Sequence, residues 1–177
     1  MFNRDMEPTK VYEYLTRARQ RLFDGIRPLD EGAHAREFPF GHGTLLRTLT
    51  HILASESYYI LRMQERAVPP YEEWPIREEE PLSFAALEAA WNEQASATRA
   101  ALSAALEWGV ELEYRVTDDD GRPMVVNATP LEIFTQLVLH EVHHRAQVIA
   151  MLKQLGVSIG DVDFNMLMYR RREASPA

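Results

Sequence analysis

The stretch that most restricts how this chain folds runs from Thr129 to Gly156. It opens Thr129-Pro130-Leu131-Glu132, which supplies a capping hydroxyl, a proline at the first helical position and an acid in the first turn, and it closes on a glycine. Both ends of one long helix are therefore written into the residues. Ile133, Leu137, Met151 and Leu155 recur at helical spacing on one stripe, while Val138, Val142 and Ile149 form a second apolar side. A helix this apolar has to be covered. Neighbouring helices or a second copy of the chain must do it, and a homodimer is the expectation for the second side.

Three more helices are expected upstream. Val11, Tyr14, Leu15, Ala18 and Leu22 mark the first, from Thr9 as cap to Ile26. Leu45, Leu49, Ile52, Leu53, Ile60 and Met63 mark the second, from Thr44 to Ala67. Leu87, Trp91, Leu102 and Leu106 mark the third, from Phe84 to Trp108, with Ser83 as its cap. The period then changes. Glu113 to Thr117 and Pro123 to Asn127 read as two short strands around Asp118-Asp119-Asp120-Gly121, a hairpin just ahead of the long helix. Those three aspartates lack the spaced carboxylates and terminal glutamate of a calcium loop, so they read as a solvated turn. Asp161 to Tyr169 reads as a short final helix. The expected class is all-α: an up-down four-helix bundle, residues 1–177 as one domain, with a small β-hairpin before the fourth helix.

Composition limits the function. The formal charge of −8 opposes binding to nucleic acid, and Arg170-Arg171-Arg172 is a solvated terminus on this reading. No run is apolar enough to span a bilayer, and Met1-Phe2-Asn3-Arg4-Asp5 has no signal-peptide core, so a cytoplasmic protein is expected. With no cysteine there is neither a disulfide framework nor a thiolate ligand, so any metal must be held by nitrogen and oxygen.

His140 and His144 lie four residues apart and stack one turn apart on one face of the long helix. Such a pair suits Zn²⁺, Ni²⁺, Fe²⁺ or Cu²⁺; its bland counterpart is one solvated histidine and one core histidine bonded to backbone. Gln147 sits on the same stripe, placed to orient a ligand or a water. His51 lies at the margin of the second helix's apolar arc, in a polar strip with Thr44, Thr48, Ser55 and Tyr58, and is the candidate third ligand. His34 and His42 fall in the Pro- and Gly-bearing connection and read as solvated residues. His140-Glu141-Val142-His143-His144 also satisfies the metalloprotease pattern H-E-x-x-H, but no sizeable sheet precedes it and only Asp161, Asp163 and Glu173 follow as ligands. Glu141 projects toward the apolar side near Val148, either as the partner of an arginine such as Arg47 or as a base near the metal.

Gly43-Thr44-Leu45-Leu46 followed by Leu49-Thr50-His51-Ile52, together with His140-Glu141-Val142-His143-His144-Arg145-Ala146-Gln147-Val148 and the closing Gly156, resembles the DinB/YfiT-like superfamily of metal-binding four-helix bundles. The resemblance covers nearly the whole chain; Ala146 stands where many relatives have glycine. It implies that His51, His140 and His144 are the three ligands of one divalent ion, zinc or nickel first and iron or manganese next. It also implies a small-molecule substrate, since members include transferases and isomerases that use low-molecular-weight thiols such as bacillithiol or mycothiol, and hydrolases. On that reading the ion makes a nucleophile of water or thiol, and Glu141 or Tyr58 assists proton transfer. The competing expectation is a non-catalytic, metal-stabilised stress-response or binding protein. The family name refers to induction by DNA damage and implies no DNA binding.

Overall fold

A computed structural model describes residues 7–173 apart from 105 and 119. The sequence readings at Met1 to Asp5 and at Asp119 lie outside the described residues. Helix α1 spans Pro8–Ile26, α2 Glu31–Ala35, α3 Leu45–Met63, α4 Phe84–Ser103, α5 Pro130–Gln154 and α6 Phe164–Met168; strands β1 (Leu112–Thr117) and β2 (Pro123–Ala128) lie between α4 and α5. The architecture is the expected helical bundle with a hairpin ahead of its last long helix.

The helix starts follow their chemistry. Thr44, Ser83 and Thr129 each accept a backbone N–H from the first turn, and Thr129 forms the full capping box with Glu132. Helix α1 departs from expectation by starting at Pro8, with Glu7 in the cap position and no side-chain bond, so Thr9 is already helical. Two helix ends also differ. Helix α3 stops at Met63 rather than Ala67 because Glu65 takes a left-handed φ of 53° and the Arg66 amide donates to the Leu61 carbonyl. Helix α4 stops at Ser103 rather than Trp108, which frees Trp108 to set its ring edge-on to Phe134 of α5 at 6.0 Å. The hairpin pairs Leu112 with Ala128 through Thr117 with Pro123 in antiparallel register.

Helix α3 packs against α4 and α5, and α1 packs against the same two. The first two long helices thus stand on one diagonal of the bundle and the last two on the other. This suits the connections, because residues 27–44 and 104–129 are long enough to cross an end of the bundle. The core falls into two clusters. One gathers Leu22, Phe23, Leu49, Leu53, Trp91 and Met151 among others, and the second gathers Tyr12, Leu15, Ile60, Leu102, Phe134 and Leu137. Val138 and Ile149 are covered by these clusters, so the chain's own packing accounts for two of the three residues on the side expected to be covered by other helices or by a partner. Val142 stays 38% exposed, beside Leu139 at 60%.

A charged network crosses the core between the helices. Arg19 of α1 donates to Glu56 of α3 at 2.8 Å and to Glu141 of α5 at 2.6 Å, with its guanidinium 4.3 Å from the Trp91 ring of α4. Tyr12 and Thr98 donate to the other Glu56 oxygen at 2.5 and 2.7 Å. Of the two readings of Glu141, the structure shows the arginine pairing, with Arg19 and not Arg47. No helix among the described residues is long and apolar enough to cross a membrane.

Candidate metal centre

Five of the six histidines collect in one cluster where α3 meets α5. Helix α3 presents His51, and α5 presents His140 and His144 a turn apart, all three half-buried. The structure brings them together. His51 Nε2 lies 3.0 Å from His140 Nε2, the rings of His140 and His144 are 4.4 Å apart, and those of His51 and His144 are 4.7 Å apart.

The opposite nitrogens are occupied by protein. His144 Nδ1 donates to Gln147 Oε1 at 2.8 Å, which directs Nε2 of His144 toward the cluster; of the ligand or water that Gln147 was read as placed to orient, it meets the histidine. Gln147 Nε2 lies 3.2 Å from His143 Nε2. On His51, Nδ1 is 3.3 Å from the carboxylate of Glu78.

Two of these residues were not foreseen. His42, read as solvated, is half-buried and stacks on His51 with ring centroids 3.8 Å apart. It is held there by Gly41 and Gly43, whose φ values of 62° and 86° turn the loop on either side of it. One nitrogen each from His42, His51 and His144 lies within 4.8 Å of the others. The second unforeseen residue is Glu78, from the irregular connection between α3 and α4, with Oε2 2.5 Å from His42 Nδ1. The only signal available for either was the glycine pair around His42. His34 is likewise half-buried, with Nε2 3.3 Å from the Ile26 carbonyl and its ring beside Phe84, remote from the cluster's contacts.

The two residues expected to move protons sit elsewhere. Glu141 is buried in the Arg19 network. Tyr58 stacks on Trp74 at 5.8 Å and lies under the Arg62 guanidinium, on the wall of an apolar cavity of about 300 Å³ that contains no histidine. The tyrosine whose ring edges against His140, at 5.8 Å, is Tyr59. A second cavity of about 250 Å³ reaches His51 itself, past Ser55, Tyr71, Trp74, Glu78 and Glu79.

The electrostatics favour neutral imidazoles. Burial first, then the rings of His42, His140 and His144, push His51 down to about 3. Burial, then His144, His42 and His143, hold His140 at about 4. Burial also lowers His144, opposed by the hydrogen bond its ring makes to Gln147. Neutral imidazole is the form of histidine that a transition metal binds. Metal–nitrogen bonds of about 2.0–2.1 Å at angles between octahedral and tetrahedral place two ligand nitrogens about 2.8–3.4 Å apart, and the His51–His140 separation falls in that span. The residues present fit a divalent transition metal.

Comparison with known proteins agrees with this architecture. A crystal structure of a DinB-like protein from Bacillus cereus ATCC 10987 superposes with a TM-score of 0.59 at 21% identity, covering 85% of this chain and 91% of that one. At that identity the likeness concerns the fold. No curated protein matches the chain. The family model for the DinB family matches residues 1–174, and the chain belongs to that family.

Proposed function

We propose that His51, His140 and His144 hold one divalent transition-metal ion, zinc or nickel first, and that the chain uses it to transfer a small-molecule group to water or to a low-molecular-weight thiol. The observation that carries this reading is the 3.0 Å approach of His51 Nε2 to His140 Nε2 across two helices. An ion bound there supplies the positive charge that lowers the pKa of an incoming water or thiol and makes it a nucleophile at neutral pH.

The chain's own residues do the rest. Gln147 holds the His144 ring by its Nδ1, so the imidazole cannot spin away from the cluster. The cavity beside His51 admits the substrate, with the Trp74 ring as its apolar wall. Trp74 also lines the cavity beyond, where the Tyr58 hydroxyl is available to a substrate long enough to extend there. Glu141 serves by position: its pairing with Arg19 locks α5 to α1 and so fixes the helix that carries both His140 and His144.

Metal content measured on the wild type, His51→Ala and His140→Ala tests the site. We expect about one ion per chain, lost in both variants; unchanged stoichiometry in both refutes the triad. Turnover of metal-loaded protein with thiol acceptors and with ester substrates then tests the chemistry. A bundle that only uses metal for stability gives no metal-dependent turnover.

A further inference from the structure

Glu78 belongs to neither histidine helix. It is delivered by the 64–83 connection, whose course is pinned at several points: Trp74 Nε1 donates to the Pro69 carbonyl at 2.9 Å, the Trp74 ring stacks on Tyr58, and the Tyr71 hydroxyl donates to Glu79 at 2.7 Å. Held this way, one buried oxygen of Glu78 lies 2.5 Å from Nδ1 of His42 and 3.3 Å from Nδ1 of His51, with no hydrogen bond of regular geometry to either. The two rings lie face to face, 23° from parallel.

That arrangement separates the roles of the two histidines. His51 turns its Nε2 toward that of His140, with ring planes 41° apart, whereas His42 meets His51 face to face, with one nitrogen within 4.8 Å of those of His51 and His144. His42 is thus the slab that keeps the His51 ring flat, and Glu78 sets a buried carboxylate oxygen, otherwise without a hydrogen-bond partner, beside the Nδ1 edge of both rings. A carboxylate that accepts from the far nitrogen of a histidine ligand fixes its tautomer and rotation and raises its basicity. On the strength of the metal reading above, we infer that Glu78, with His42 stacked beside His51, is the positioning residue that aims His51 Nε2 at the ion.

The test uses Co²⁺ as the probe on the full chain, with Glu78→Ala, Glu78→Gln and, as a control for overall negative charge, Glu80→Ala, whose carboxylate is 74% exposed and paired with Arg77. We expect Glu78→Ala to weaken Co²⁺ binding by about 10- to 100-fold and to alter the visible d–d spectrum at saturation. Glu78→Gln, which keeps an acceptor oxygen, should lose much less, and Glu80→Ala should match the wild type. The unfolding midpoint of metal-free Glu78→Ala should equal that of the metal-free wild type. The inference is overturned if Glu78→Ala binds Co²⁺ within about threefold of the wild type, far short of the usual loss. It is equally overturned if Glu80→Ala weakens binding as much, or if metal-free Glu78→Ala is destabilised in step with its loss of affinity. A wild type that takes up no metal overturns the metal reading and this one together; a wild type that binds beside an unaffected Glu78→Ala overturns only this one.

Discussion

Arg19 is 4% exposed and bonds carboxylates from two other helices, so most of the bundle meets at one guanidinium. Burying three charges is costly, and what offsets it is that the carboxylates are satisfied: Glu56 accepts from Arg19, Tyr12 and Thr98. Removing Glu56 leaves Arg19 with Glu141 alone and strands the Tyr12 and Thr98 hydroxyls without their acceptor. Glu56→Ala should therefore lower stability by about 3–5 kcal/mol in urea unfolding, and a loss under about 1 kcal/mol would show that the network is not coupled to folding. What could be read of such residues in advance followed from their place on regular elements. His51, His140 and His144 lie on helices, where spacing fixes direction, and their convergence was legible. His42 and Glu78 lie in irregular segments, where no period tells which way a side chain points. Arg19 as the partner of Glu141 needed the rotation of α1 about its own axis, which a pattern of apolar residues sets only coarsely.

The same contrast appears in the elements. Helices α3 and α5 end alike, in a left-handed residue followed by an amide that reaches back to a carbonyl five residues earlier, Arg66 to Leu61 and Val157 to Leu152. Gly156 announced one end; Glu65 in the same conformation announced nothing, so the expected helix ran on to Ala67. Helix α4 was over-extended for a different reason, since its alanine-rich run carries no stop before Gly109 and only the packing of Trp108 on Phe134 shows why the chain unwinds. Helix α5 divides its circumference in three. One face builds the core, one carries the histidines, and a third leaves Leu131, Leu139 and Val142 exposed at 50%, 60% and 38%. We propose that a second copy covers this third face, as a two-fold contact between α5 helices. Light scattering should then give twice the chain mass of 20.4 kDa, and Leu139→Glu should return the protein to that single-chain mass. A wild type that elutes as a monomer at working concentrations would remove the dimer.

Across the whole molecule, the histidine cluster couples protons to folding, and on the proposed reading it couples metal to folding as well. In the unfolded chain these imidazoles titrate near about 6.5, while in the fold His51 and His140 are held at about 3 and about 4 and His144 is lowered as well. The unfolded state thus binds more protons wherever the pH lies between those values. The metal-free protein should keep its full stability above about pH 6.5 and lose it progressively as the pH falls toward 4. Urea midpoints at pH 8, 6 and 5 check the sign, and His51→Gln should flatten the profile. Metal acts on the same equilibrium from the other side, because the unfolded chain does not hold the three rings together. At a free concentration about 100 times the dissociation constant, binding adds about 2.7 kcal/mol, which for a chain of this size raises the melting temperature by about 5–10 °C. A chelator should reverse the shift, and the His51→Ala and His140→Ala variants should show none. Were those variants to gain the same increment from added metal, the stabilising ion would be bound somewhere other than between α3 and α5.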